Sequence, residues 1–228
     1  MSLKINNWKK ICYWVFWGII IAVALIFFIR VAVWEGFYYA EKEGSERSVS
    51  ATAAPVRAEL DETEPTEEEI IEYNVPAGNP RYLTIPDISV NNARILALST
   101  KESGELEAPN NIFDAGWYVD SARPGEGGVI LIDGHNGGPS RYGIFKRLPE
   151  LTIGSKIVIE VGQTGEKYTY IVQENTTVPL SEANSYMSTA MKKINNTETL
   201  SIITCTGEWS DQQQTYLSRQ FLRATLEK

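Results

Sequence analysis

Residues 156–172 read Lys-Ile-Val-Ile-Glu-Val-Gly-Gln-Thr-Gly-Glu-Lys-Tyr-Thr-Tyr-Ile-Val. Ile157, Ile159 and Val161 alternate with Lys156, Val158 and Glu160. Tyr168, Tyr170 and Val172 alternate with Lys167, Thr169 and Ile171, and a period of two is that of strands with one face buried. Gly162-Gln163-Thr164-Gly165 between them reads as the turn of a hairpin. Working outward, the same texture of short β-type runs separated by Gly, Pro, Asn and Asp begins at Pro80 and continues to the C-terminus. The runs are 82–85, 93–98, 128–133, 156–161, 167–172, 200–205 and 220–226, with one or two helical turns fitting 181–193. Seven or eight strands in about 150 residues predict a mainly β domain, a barrel or a sandwich, over residues 80–228.

Upstream the chain changes character twice. Residues 11–29 are uncharged and mostly apolar, and after Arg30 the apolar character resumes through Trp34. About 20 such residues cross a bilayer as a helix, so 11–34 reads as a transmembrane signal anchor. Lys4, Lys9 and Lys10 precede it, while Glu35, Glu41 and Glu43 follow. The positive-inside rule therefore puts residues 1–10 in the cytoplasm and the β domain outside. A cleaved signal peptide fits less well, because its apolar region is shorter and the small-residue run 51–54 lies too far downstream. Residues 35–79, rich in Glu, Ser, Thr, Ala and Pro, read as an acidic flexible linker that cannot bury enough surface to offset its ordering entropy. Within it, Thr66-Glu67-Glu68-Glu69 matches a capping box ahead of Ile70 and Ile71, predicting a turn or two of helix.

Composition narrows the function. The 228 residues carry 21 Lys+Arg against 29 Asp+Glu (21 − 29 = −8), and the pI near 4.9 argues against a nucleic-acid binder. At 43% hydrophobic and 22% charged, the chain is suited to bury a core. Of its two cysteines, Cys12 lies in the apolar run, which leaves Cys205 without a partner in an oxidising compartment. Such a thiol is seldom kept without use. Cys205 follows Leu200-Ser201-Ile202-Ile203-Thr204, and His135, the single histidine, follows Val129-Ile130-Leu131-Ile132 through Asp133-Gly134, so both are placed at strand ends. Thirteen residues (219 − 205 − 1), mostly polar, separate Cys205 from Arg219, which opens the next strand. Hairpin geometry sets Arg219 beside Cys205, where a guanidinium can stabilise a thiolate or an oxyanion. Arg223, four residues deeper, is the rival. An inert core cysteine, a turn histidine and an exposed strand arginine are the bland readings of the same three residues.

Other chemistries find less support. One His and one available Cys do not make a zinc set, so no metal or cofactor is expected. Glu102, Glu105, Glu107 and Asp114 are acidic candidates for Ca²⁺ but match no defined ligand loop. Gly125-Glu126-Gly127-Gly128 lacks the Lys and the helix of a phosphate cradle. Asn175-Thr176-Thr177 and Asn195-Asn196-Thr197 fit the glycosylation sequon, a pattern that arises often by chance.

Four stretches in order carry a resemblance that covers roughly residues 82–226. They are Leu83-Thr84-Ile85-Pro86-Asp87-Ile88; Gly116-Trp117-Tyr118 with Ala122-Arg123-Pro124-Gly125-Glu126; Asp133-Gly134-His135-Asn136 with Gly143-Ile144-Phe145 and Arg147-Leu148; and Ser201-Ile202-Ile203-Thr204-Cys205 followed by Arg219. In this combination the chain resembles the sortases, membrane-anchored cysteine transpeptidases of Gram-positive-type bacteria. Ser201 and Ile202 replace the first two positions of the family's Thr-Leu-x-Thr-Cys pattern. The resemblance implies a closed sortase-type β-barrel with short helices, a single-domain housekeeping-like member, and a cell-membrane location with the catalytic domain outside. It implies that Cys205 attacks the Thr carbonyl of an LPXTG-like sorting signal. His135 would then serve the departing and incoming amines, and Arg219 the oxyanion. Thr204, Thr206 and Asn136 are implied as substrate-binding positions. The implied partners are secreted proteins bearing sorting signals and a peptidoglycan precursor or other amine acceptor. A thiol hydrolase of surface peptides, and a non-catalytic membrane-tethered β domain that binds a wall component, are the alternatives.

Overall fold

A computed structural model describes residues 60–101 and 106–227. The membrane anchor read over 11–34 and the linker up to residue 59 lie outside the described residues. Among the described residues, no helix is long and apolar enough to cross a membrane.

Eight strands form the body: β1 (Pro80–Ile85), β2 (Val90–Leu98), β3 (Ala115–Tyr118), β4 (Val129–Gly134), β5 (Lys156–Val161), β6 (Lys167–Pro179), β7 (Thr199–Ser210) and β8 (Thr215–Leu226). They close into a barrel in the order β1-β2-β3-β4-β7-β8-β6-β5. The predicted hairpin is β5–β6, paired antiparallel from Lys156↔Ile171 to Glu160↔Lys167. Among the described residues two α-helices accompany the barrel, α1 (Glu67–Glu72) and α2 (Leu180–Ala190).

The alternation in the sequence sorts each strand's residues onto two faces. Ile130 and Ile132 of β4, Leu200 and Ile202 of β7, and Leu222 and Ala224 of β8 point inward. They meet Ile157, Ile159, Tyr170 and Val172 in the main core. The intervening Leu131, Ile203 and Phe221 face outward and form a second cluster with Val178 and with Ala183 and Ala190 of α2. That helix is why β4, β7 and β8 are apolar on both faces, and why their sequences read as continuous hydrophobic runs.

Three features depart from the sequence reading. Strand β3 has only four residues, Ala-Gly-Trp-Tyr, too short to show a period, yet it closes the barrel between β2 and β4. A Cβ at Gly116 would meet the side chains of Leu98 and Asp133, so glycine leaves room for both there. Strands β7 and β8 extend to a turn over residues 211–214, so Cys205 and Arg219 lie within strands rather than at strand ends. Their pairing register shifts between Thr206 and Trp209, which interrupts the ladder just beyond Cys205.

The C-terminal part of the stretch read as linker is also held by the domain. Thr66 caps α1 through the Glu69 amide, and the Glu69 carboxylate returns to the Thr66 amide at 2.8 Å, completing the capping box read from the sequence. Arg81 Nε donates to the Tyr73 carbonyl at 2.7 Å, and the Tyr73 hydroxyl donates to Ile95 O at 2.5 Å. These bonds supply the ordering that the polar composition did not reveal.

Candidate active site

Strand pairing brings three distant residues together. Cys205 and Arg219 are direct partners across β7 and β8. Strand β4 lies parallel to β7 on the other side, with Asp133 opposite Ile203, so two residues further His135 comes level with Cys205. The Thr204 hydroxyl donates to Gly134 O at 2.8 Å and ties the end of β4 to the strand of Cys205. Because Cys205 shares the face of Ile203, and Arg219 that of Phe221, both side chains lie on the outer side of the barrel.

The imidazole of His135 is held from the loop that precedes β3. Its Nε2 lies 2.6 Å from the Pro109 carbonyl. A carbonyl can only accept, so Nε2 carries a proton and Nδ1 is the nitrogen left to exchange one with a substrate. The Arg219 guanidinium donates through Nη1 to Tyr216 O at 2.9 Å and Ser218 O at 3.0 Å, and through Nη2 to Thr215 Oγ1 at 3.2 Å. Three of its five N–H groups are spent on its own strand, and two remain for a developing anion.

Burial pushes the Cys205 thiol up, the Arg219 charge pulls it back, and the carboxylate of Asp133 pushes it up again. Asp133 itself is pushed up from 3.8 to about 7 by burial. It occupies the outer face of β4 one pairing step before the Cys205–His135 line, and sequence reading passed it over. A carboxylate ending the apolar run Val-Ile-Leu-Ile was the available signal.

The other sequence-derived positions separate into site and scaffold. Arg223 is 5% exposed, with Nη1 2.8 Å from Glu174 and Nη2 2.5 Å from Lys192 O, so it braces β8 against β6 and the loop after α2. Thr204 is buried with its hydroxyl committed to Gly134, and Asn136 is 5% exposed with its carbonyl accepting from Gly143 N–H at 2.9 Å. Thr206 alternates to the face opposite Cys205. The hydroxyl of Thr204 and the backbone carbonyl of Asn136 thus brace the loops around the site. Of the acidic residues considered for Ca²⁺, Asp114 is in a bidentate pair with Arg94 and Glu107 accepts from Ser99 N–H at 3.1 Å. Glu102 and Glu105 lie outside the described residues. Asn175 spends its amide on Leu148 O, Leu151 O and Gln220, which leaves no free nitrogen for a glycan.

The Ala122–Gly128 stretch has a scaffold role. The Glu198 carboxylate, 5% exposed, accepts from Gly125 N–H at 3.0 Å, Gly127 N–H at 2.6 Å and the Tyr170 hydroxyl at 2.7 Å. It anchors that turn at the starts of β4 and β7, the barrel end opposite the Cys205 line.

A barrel that pairs a cysteine with an arginine on adjacent strands, with a histidine just past the end of the neighbouring strand, has the residue types of a thiol-dependent acyl-transfer site. The family model of the sortase domain matches residues 83–227. The chain belongs to the sortase family and is a cysteine transpeptidase. Among solved structures it is similar to sortase C1 from Streptococcus agalactiae, at 21% identity over 72% of this chain and 78% of that one, with a TM-score of 0.48. It is also similar to a sortase D5 transpeptidase from Clostridium perfringens (21% identity, 72% and 91% covered, TM-score 0.45). A third is a lid mutant of sortase A from Corynebacterium diphtheriae (21% identity, 68% and 73% covered, TM-score 0.47). No curated protein sequence matches the chain.

Proposed function

We propose that this sortase cleaves an LPXTG-like sorting signal and passes the acyl group to an amine of the cell envelope, with Cys205, His135 and Arg219 as its catalytic residues. The observation that carries the reading is the alignment of these residues across β4, β7 and β8. The Cys205 thiol gives its proton to His135 Nδ1 as its sulfur attacks the Thr carbonyl carbon, and the carbonyl oxygen takes up the negative charge beside the free N–H groups of Arg219. As the Thr–Gly C–N bond breaks, His135 gives the leaving amine its proton and a thioester remains. An incoming amine attacks the thioester carbon and yields a proton to His135, and the Cys205 thiolate departs. Desolvation keeps the thiol largely protonated at neutral pH, so the reactive thiolate is a minor form favoured by the Arg219 charge.

The apolar run 11–34 and its basic N-terminal flank support a membrane anchor that holds this chemistry outside the cell, where secreted proteins bearing sorting signals emerge. We assign no metal or cofactor to the reaction. The test is intact-mass spectrometry after incubation with LPXTG-like peptides, with and without glycine or diamine acceptors. An adduct on Cys205 that amine discharges into a ligated product supports transpeptidation. Discharge to water at the same rate whether or not amine is present refutes amine transfer and points to a hydrolase. An enzyme that forms no adduct with any peptide refutes the assignment.

A further inference from the structure

His135 is suspended between two loops, and neither is anchored by the barrel alone. The loop before β3 supplies the Pro109 carbonyl to Nε2. The loop that follows His135 turns back over 136–142, and its return limb rests on the imidazole's own backbone, with Phe145 N–H donating to His135 O at 3.0 Å. Behind that limb lies a cavity of about 320 Å³, lined among others by Ile70, Val90, Phe113, Tyr142 and Ile144. Phe145 of that limb packs in the main core, while Tyr142 and Ile144 border the cavity.

Residues 61–64 bridge both loops. Asp61 N–H donates to Asn110 O and Asp61 O accepts from Ile112 N–H, each at 3.0 Å. The Asn111 amide donates to Asp61 Oδ2 at 3.0 Å and Thr63 O at 2.8 Å, and its Oδ1 accepts from Phe113 N–H at 2.8 Å. On the other loop, Glu62 Oε1 accepts from Ser140 N–H at 2.9 Å and Arg141 N–H at 3.0 Å, while Glu62 Oε2 takes the Ser140 hydroxyl. Arg141 returns a bond to Glu62 O at 3.0 Å and one to Glu64 at 3.2 Å, and its guanidinium lies 4.8 Å from the Phe113 ring centroid. A Cβ at Gly138 would strike the Glu62 carboxylate, so the loop and the strap are fitted to each other.

We infer that residues 61–64 form a strap that positions the His135 imidazole, with Glu62 as its principal positioning residue. The inference rests on the reading of His135 as the proton-transfer group. Glu62 touches no reacting atom and acts by fixing the loops on either side of the ring. Hydrogen bonds from Ser140 and Arg141 hold the Glu62 carboxyl below the usual carboxylate range, which keeps the strap's acceptor charged through neutral pH. The physical basis is that proton transfer depends steeply on geometry, and a displacement of order 1 Å costs about 100-fold in rate.

The test compares Glu62→Ala and Glu62→Gln in the full chain, with His135→Ala and the double variant Glu62→Ala/His135→Ala as controls. We expect Glu62→Ala to lower kcat by about 10- to 100-fold while KM changes by less than about threefold, and Glu62→Gln, which keeps one acceptor oxygen, to recover part of the rate. His135→Ala and the double variant should both be inactive and serve as the reference for complete loss of the proton-transfer group. Amide exchange at Ser140 and Arg141 should quicken in Glu62→Ala. Wild-type kcat in Glu62→Ala alongside an inactive His135→Ala overturns the strap alone. A full loss of rate that Glu62→Gln does not relieve and that tracks loss of the folded state also overturns it. Full turnover in His135→Ala overturns the catalytic reading, and the strap's role with it.

Discussion

Replacing Asp133 with Asn removes a charge from beside the nucleophile while keeping the side chain's shape in the space that Gly116 leaves for it. Burial pushes the Asp133 carboxyl from 3.8 to about 7. Because the folded value is raised, the group's stabilising contribution is fully present below the unfolded pKa and is lost as pH rises through about 7. At about 1.4 kcal/mol per pH unit, the loss between pH of about 5.5 and about 8.5 is roughly 2 kcal/mol. Asp133 keeps some exposure to water, and screening reduces that to about 1 kcal/mol. The carboxamide of Asp133→Asn does not titrate, so the variant should gain about 1 kcal/mol relative to wild type on going from the lower pH to the higher. Urea unfolding of both proteins at both pH values measures this double difference, in which pH-independent changes in contacts cancel. The same substitution removes the negative neighbour that pushes the Cys205 thiol up, so the pH profile of iodoacetamide alkylation should move to lower pH. A stability difference between variant and wild type that is the same at both pH values, with an unmoved alkylation profile, would refute the reasoning.

Cys205→Ala and His135→Ala should each abolish turnover of sorting-signal peptides with the thermal midpoint nearly unchanged, and a fully active variant of either would contradict the assigned roles. Arg219→Lys should lose about 10- to 100-fold in kcat, because an ammonium does not reproduce the guanidinium's fork. Arg223→Lys should instead lower stability by about 1 to 3 kcal/mol through its buried contacts with Glu174 and Lys192, as read by denaturant midpoint, with less effect on kcat. Glu198→Gln should cost about 1 to 3 kcal/mol in stability, since a neutral amide replaces the charged acceptor of three donors, the buried Tyr170 hydroxyl among them. Its kcat should stay near wild type, because the contact lies at the far end of the barrel.

Particular residues show where local reading succeeded and where it stopped. Strand β5 and the start of β6 were legible because their alternation is complete and Gly162 to Gly165 mark the turn. The capping box at Thr66 and Glu69 was legible because both halves of the interaction lie within one turn of chain. Strand β3 was not, since four residues carry no measurable period and their strand character comes from partners on either side. Cys205 and Arg219 were matched correctly across the hairpin, yet the polar run between them concealed the extra strand on each arm. Thr204, taken as a substrate position from the family resemblance, has its hydroxyl bonded to a carbonyl 70 residues away, a contact that no local pattern announces.

By itself the sequence determined a mainly β domain, that domain's one thiol and one imidazole, and the pairing of Cys205 with Arg219, because these follow from short-range periodicity, composition and one hairpin. Tertiary structure alone decided that β4 runs parallel beside β7, that Asp133 shares the nucleophile's face, and that residues 61–64 belong to the domain. Those depend on contacts between segments far apart in the chain, where the free energy comes from a partner's surface that no local pattern of residues records.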